Sequence, residues 1–176
     1  PVGTTTTNWR RASLPDFAWS ASLDLWNSIT YQVLVDGQPV GCISVVAYDD
    51  TFGFLGFYIV RPEFRGRGFG WALWQAGMAR LGERTIGLDG VVAQQDNYRK
   101  SGFVLAHRSI RFGGPAVGRA HVDVVGLSVA DLADVAAYDE PCFGAPRREF
   151  LEQWLAQPDA RALGVRRDGR LTGYGV

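Results

Sequence analysis

Residues 61–74 read RPEFRGRGFGWALW, with Arg65, Gly66, Arg67, Gly68 and Gly70 at the mouth of a helix-like stretch. Glycine weakens helix initiation because its backbone loses the most freedom on ordering. Glycines at such a junction therefore need another reason. Free N–H groups at a helix N-terminus, the helix dipole and two guanidinium groups together attract an anion. Gly68 and Gly70 would keep Cβ atoms out of the space a phosphate occupies. Two common phosphate-binding patterns fail on their spelling. A P-loop needs Lys-Ser/Thr after its second glycine, and a dinucleotide fingerprint needs a third glycine where Trp71 stands. What is left is R-x-x-G-x-G over Arg65, Gly68 and Gly70. On these residues alone, a helix start with solvated arginines and packing glycines explains the stretch equally well.

Composition narrows the anion. The chain has 176 residues, 47% of them hydrophobic, with 10 Phe, 6 Trp and 6 Tyr. That is enough for one domain, or one domain and part of another. Lys+Arg 18 balance Asp+Glu 18, so no cationic surplus is available for a phosphate backbone and a nucleic-acid partner is not expected. Cys42 and Cys142 stand apart, with no C-x-x-C and no neighbouring His. They read as free thiols, and no metal is expected. The longest apolar run, FGFLGFYIV, is too short to cross a membrane. With no signal-peptide pattern at its start, the chain is expected to be cytoplasmic. Its opening at Pro1 and strand-like ending LTGYGV suggest a piece of a longer protein.

The elements that must hold the glycine stretch can be read from periodicity. YQVLV, then DG, then PVGCISVVAY predicts a hairpin, because Asp-Gly supplies the positive φ of a tight turn. FGFLGFYIV follows as a buried central strand, ended by Pro62. From Phe69 to Leu81 the period changes: Leu73, Trp74, Gly77, Met78 and Leu81 form one helical stripe. Gly77 in that stripe predicts close approach to the sheet, and Gly82 is the expected C-cap. TIGLDGVVA reads as a strand, QDNYRKSG as a turn or short helix, and FVLAHRSIRF as another strand. The order is β-β-β-α-β-(α)-β, a mixed α/β sheet. Residues 1–8 read as a lead-in, and no element is placed before Ile29.

GGPAVGR at 113–119 reads as a linker. Beyond it come the strand HVDVVGL, a helix in SVADLADVAAYDE with Ser128 as N-cap, a helix in RREFLEQWLAQ, and a closing hairpin. Asp168-Gly169 followed by Gly173 repeats the spacing of Asp36-Gly37 followed by Gly41, which suggests one element used twice. The expected domains are residues 1–117 and the start of a second, incomplete one at 118–176.

FYIVRPEFRGRGFG, Phe57 to Gly70, resembles the strand and loop of motif A in the GNAT superfamily of N-acetyltransferases, whose R/Q-x-x-G-x-G/A loop holds the pyrophosphate of acetyl-CoA. YRKSGF, Tyr98 to Phe103, is similar to the Tyr-x-x-x-Gly-Phe signature of that family. The resemblance covers roughly residues 31–112, and residues 120–176 are similar to the second acetyltransferase-like domain of tandem members. It implies an α+β fold of the acyl-CoA N-acyltransferase type, with a mixed, mostly antiparallel central sheet flanked by helices. It also implies acetyl-CoA as co-substrate and an acceptor that is a small-molecule amine or an amino terminus, attacking directly.

Carried over by position, backbone groups of Tyr58, Ile59 and Val60 would face the pantetheine and thioester, and a backbone N–H there would polarise the carbonyl. Arg65, Gly66, Arg67, Gly68, Phe69, Gly70 and Trp71 would hold the pyrophosphate. Tyr98 would protonate the departing thiolate, since a phenol with a pKa near 10 carries its proton at neutral pH; a packing role beside Gly102 and Phe103 is the alternative. Among carboxylates, Glu63, Asp49, Asp50 and Asp89 are candidates for the base, and Asp89, read in a strand between Gly87 and Gly90, stands out. His107 and His121 fall outside the motifs. Asn97 lies immediately beside Tyr98, where the family carries its Asn several residues earlier on a longer helix. A CoA-binding module without turnover, and a structural α/β domain whose glycines only pack, are the rival readings.

Overall fold

The computed structural model describes residues 17–24, 28–110, 113, 118 and 121–176. The opening segment 1–8 and most of the 113–119 linker lie outside these residues. Two sheets form, each with its own core. The first runs β1 (Phe17–Asp24), β2 (Ser28–Val35), β3 (Gln38–Ala47), β4 (Phe52–Val60) and β5 (Thr85–Leu88), side by side in that order. The first three pairings are antiparallel; β4 and β5 are parallel. A parallel pair requires a crossover, and α1 (Phe69–Leu81) supplies it.

The helical stripe read from the sequence faces this sheet. Leu73, Trp74, Gly77 and Leu81 are buried, with Met78 half-buried beside them. A Cβ on Gly77 would lie 3.1 Å from Leu55 and 3.3 Å from both Ile43 and Val45, so the helix rests on the strands at that point. Gly82 closes the helix at φ 60, its N–H bonded to the Met78 carbonyl.

The second unit runs β6 (Val124–Gly126), α3 (Leu132–Phe143), α4 (Arg148–Leu155), β7 (Leu163–Arg167) and β8 (Arg170–Gly175). Its three strands are antiparallel in the order β6-β7-β8. Leu132, Val135, Leu151, Leu155 and Ala162 form its core. Ser128 caps the turn leading into α3 through a capping box with Asp131.

Several strands differ from expectation. A strand, β1, occupies part of the stretch before Ile29 that the pattern left unassigned. β5 stops at Leu88 and β6 covers three residues, because ladders end where partners end, not where β-branched residues do. Residues 103–110 form no strand, and Val104 and Ile110 are exposed. β4 is neither buried throughout nor central: its second half, Phe57 to Ile59, is exposed.

Candidate functional site

Three features of β4 and its continuation converge. The first is a break in the ladder. Cys42 pairs with Ile59 and Ser44 with Gly56, so Ile43 faces two residues, Phe57 and Tyr58. Phe57 is the bulged residue, with φ 46 and a side chain 76% exposed. A left-handed conformation costs a bulky residue about 1–2 kcal/mol. The Cys42 thiol donates to the Phe57 carbonyl at 3.3 Å. Bulges re-aim a strand beside functional sites. The sequence held a signal for this one, Gly56 inside a strand pattern.

The second feature is a gap. β4 pairs with β5 only through Phe52–Leu55 against Thr85–Leu88. Beyond Leu55 the backbone of residues 56–60 has no ladder partner on the β5 side.

The third is the loop. Pro62–Phe64 makes a tight 3₁₀ turn, and the Arg65 Nε donates to the Val60 carbonyl at 2.9 Å, tying the loop to the strand end. Gly66 has φ 73 and Gly68 has φ 83. Both need the left-handed freedom of glycine, and a Cβ on either would meet nothing within 4 Å. Gly68 is the N-cap of α1, and no side chain caps that terminus. The mouth of the helix thus has no side-chain cap and presents the positive end of the helix dipole. Gly70 is constrained differently: a Cβ there would lie 2.9 Å from the Tyr58 hydroxyl. Arg67 stacks over Phe64 and Phe69 at 5.3 and 5.1 Å. The Phe69 side chain belongs to the core, so only its backbone can face a ligand. Trp71 is exposed, and with Trp74, Met78, Lys100 and Ser101 it lines an open groove of about 370 Å³.

Tyr98 sits on α2 (Gln95–Lys100). The Phe103 N–H bonds to the Tyr98 carbonyl at 3.1 Å and the Gly102 N–H to the Arg99 carbonyl at 3.0 Å, with Gly102 at φ 89. This is a Schellman termination, which explains the Tyr-x-x-x-Gly-Phe spacing locally. Its effect is to turn both rings onto Trp74, at 6.0 Å for Tyr98 and 5.6 Å for Phe103. Tyr58 meets the same indole at 5.6 Å. Burial pushes the Tyr58 phenol above its usual range, and the nearby Tyr98 phenol adds to that. Residues from β4, α1 and α2 therefore meet around one tryptophan.

The candidate bases are not brought together. Glu63 is paired with Arg61 at 2.5 Å and is held below the usual carboxylate range, first by its own backbone N–H and then by the arginines. Asp49 accepts three hydrogen bonds from Thr51 and Phe52, which lower its pKa. Asp89 lies beyond the end of β5, not within it, and is exposed. The Asn97 amide is engaged by Gln94 at 2.6 Å. Among the described residues, no group of three or more His, Cys, Asp or Glu is placed to hold a metal ion, and no helix is long and apolar enough to cross a membrane.

Strand, bulge, left-handed loop and uncapped helix mouth are the setting in which the comparisons with known proteins fall. A profile of the acetyltransferase (GNAT) family matches residues 3–103, more than half of the chain. This chain belongs to that family. A second profile, an acetyltransferase (GNAT) domain, matches residues 135–176, so the arrangement is of the tandem GNAT type. The holothin acyltransferase of Pseudoalteromonas sp. (strain SANK 73390) is 34% identical over 130 residues, covering 72% of this chain and 44% of that protein. The uncharacterised N-acetyltransferase YitH of Bacillus subtilis (strain 168) is 24% identical over 147 residues, covering 81% of this chain and 52% of its own length. This GNAT chain thus spans about half the length of these relatives. A solved structure of a candidate acetyltransferase from Pyrococcus horikoshii aligns with a TM-score of 0.61 at 22% identity, over 78% of this chain and 49% of that one. It supports the fold: a mixed, mostly antiparallel sheet with flanking helices. The family is one of acetyltransferases, and one of these relatives is named as an acyltransferase.

Proposed function

We propose that this GNAT chain carries the acetyl-CoA site of an N-acetyltransferase that modifies a primary amine on a small molecule or an amino terminus. The observation that carries the reading is the loop at the end of β4. Gly66 and Gly68 hold left-handed turns that leave open space before an uncapped helix. Acetyl-CoA would supply an activated acyl group on a good leaving thiol. Backbone groups of Tyr58, Ile59 and Val60 orient that arm and polarise its carbonyl, while Arg65, Gly66, Arg67, Gly68, Phe69, Gly70 and Trp71 hold the pyrophosphate. Tyr98 gives its proton to the leaving sulfur. Asp89, tied neither into a turn nor into an ion pair as Asp49 and Glu63 are, takes the role of base. The relative named for holothin favours a small-molecule acceptor. The unit boundary falls near residues 117 and 118, and the protein works in the cytoplasm.

A second reading, a module that binds CoA without turnover, is favoured by the engaged state of Glu63 and Asp49. Calorimetry with acetyl-CoA on the chain and on Gly68→Glu tests the site. Micromolar binding lost in a folded variant supports it, and no binding by the folded parent chain sinks it. Thiol release across an amine panel then separates the enzyme from the binding module.

A further inference from the structure

The two units touch through aromatic rings at the end of the first sheet remote from the glycine loop. Tyr48 follows β3 and Phe52 opens β4. Phe143, the last residue of α3, meets both edge-on, with centroids 4.9 Å from Tyr48 and 5.7 Å from Phe52. The Arg147 guanidinium lies 3.9 Å from the Phe143 centroid and 4.9 Å from that of Phe150. Edge-on rings and a cation over a ring face are both attractive arrangements.

Each half of this contact is rigidly mounted. Asp139, buried at 4% exposure, takes Arg147 in a two-pronged pair, Nε to Oδ2 and Nη2 to Oδ1, both 2.7 Å. The Tyr174 hydroxyl of β8 donates to the same carboxylate at 2.5 Å. On the other side, Asp49 Oδ1 accepts from the backbone N–H of Thr51 and Phe52, fixing the turn between β3 and β4. Arg84 donates to the Asp49 carbonyl at 2.6 Å and to the Leu81 carbonyl at 3.1 Å, joining that turn to the end of α1. A loose crossing of two independently tumbling units would not need mounts on both sides.

We propose that Phe143, backed by the Asp139–Arg147 pair, is a clasp that fixes the second unit to the turn where β4 begins. The partner of the Tyr48–Phe52 surface is therefore the second unit of the same chain. β4 is nine residues long, roughly 25–30 Å at about 3.3 Å per residue, so the clasp grips the sheet far from the Arg65–Gly70 loop and leaves that mouth uncovered. The inference does not depend on what the loop binds.

The test is nuclear spin relaxation of backbone amides in the 176-residue chain. One tumbling time shared by β2–β4 and by α3–β8 is expected, with ring-to-ring contacts between Tyr48 and Phe143. Phe143→Ala should split it into two shorter times, with the amide shifts of both cores unchanged. Because that change could also fray the end of α3, the double variant Tyr48→Ala/Phe52→Ala removes both ring contacts from the other side and should give the same split with α3 intact. Two tumbling times already in the parent chain, or one time surviving in both variants, overturns the clasp.

Discussion

The hairpins β2–β3 and β7–β8 are the same device built twice. Asp36-Gly37 turns at φ 51 and 76, and Asp168-Gly169 at φ 50 and 78. The register slips after Val33 in one and after Val165 in the other. Gly41 and Gly173 stand at matching places opposite those residues. What differs is the surroundings. A Cβ on Gly41 would lie 2.9 Å from the Ile59 carbonyl and 3.2 Å from Leu73, whereas one on Gly173 would meet nothing within 4 Å. The first hairpin is flanked by β4 and covered by α1; the second is covered by α3 and α4. Local sequence thus writes the hairpin, and what packs against it decides what its residues mean. Only the first hairpin borders the bulged strand and the uncapped helix mouth.

That contrast can be broken or sharpened, from the largest expected effect downward. Gly68→Glu should weaken acetyl-CoA binding by about 100-fold or more, close to 3 kcal/mol, whereas Gly169→Glu in the second turn should leave the titration unchanged. Equal losses would mean that the two glycine turns are not functionally distinct.

Asp139→Ala should cost the second unit about 2–4 kcal/mol, near the range for removing one partner of a buried ion pair, read from chemical unfolding followed at Trp154. The same carboxylate gives an acid dependence. Burial alone would raise its pKa, but the hydrogen bonds from Arg147 and Tyr174 outweigh that and hold it low. Its stabilisation is therefore present above the ordinary Asp value and is lost as pH falls below about 4. The second unit should lose more stability with acid in the parent chain than in Asp139→Ala.

Gly41→Ala should destabilise the first unit by about 1–3 kcal/mol through overpacking against Ile59 and Leu73, while Gly173→Ala stays within about 0.5 kcal/mol. Thermal unfolding of the two variants side by side decides this, and matched effects would dissolve the comparison. The smallest effect is reserved for Tyr98→Phe, about tenfold in kcat, or 1.4 kcal/mol. It is modest because a thiolate leaves readily without a proton. Activity unchanged in Tyr98→Phe would assign this residue to packing on Trp74.

The sequence was legible wherever structure is decided within a few residues. The bounds of α1, its apolar stripe, both Asp-Gly turns and the Ser128 cap all follow from local stereochemistry, and a glycine inside that stripe marked the close approach at Gly77. The two motifs that frame the site were legible only through their resemblance to the GNAT family, and the termination at Gly102 that explains the second shows only in the fold. Features decided by partners far along the chain were harder to read. FGFLGFYIV looks like one buried strand, yet the bulge at Phe57 depends on how β3 registers against it. FVLAHRSIRF has strand-forming residues, but residues 103–110 meet no ladder partner. The two distinct reasons for the three glycines of the loop were not legible either. Two turn left-handed and the third yields to a tyrosine hydroxyl.

That last contact sets the order in which this site can change. With Tyr58 in place, even a methyl group at position 70 collides with its hydroxyl, and a side chain at position 90 would meet the Tyr98 ring at 2.5 Å. Positions 58 and 70, and 98 and 90, therefore behave as linked pairs. Gly70→Ala is a poor first step and an acceptable second one after Tyr58→Leu. The tyrosines set no limit at positions 66 and 68, where a Cβ meets nothing within 4 Å; at 70 and 90, varying each pair together opens the space the rings now occupy.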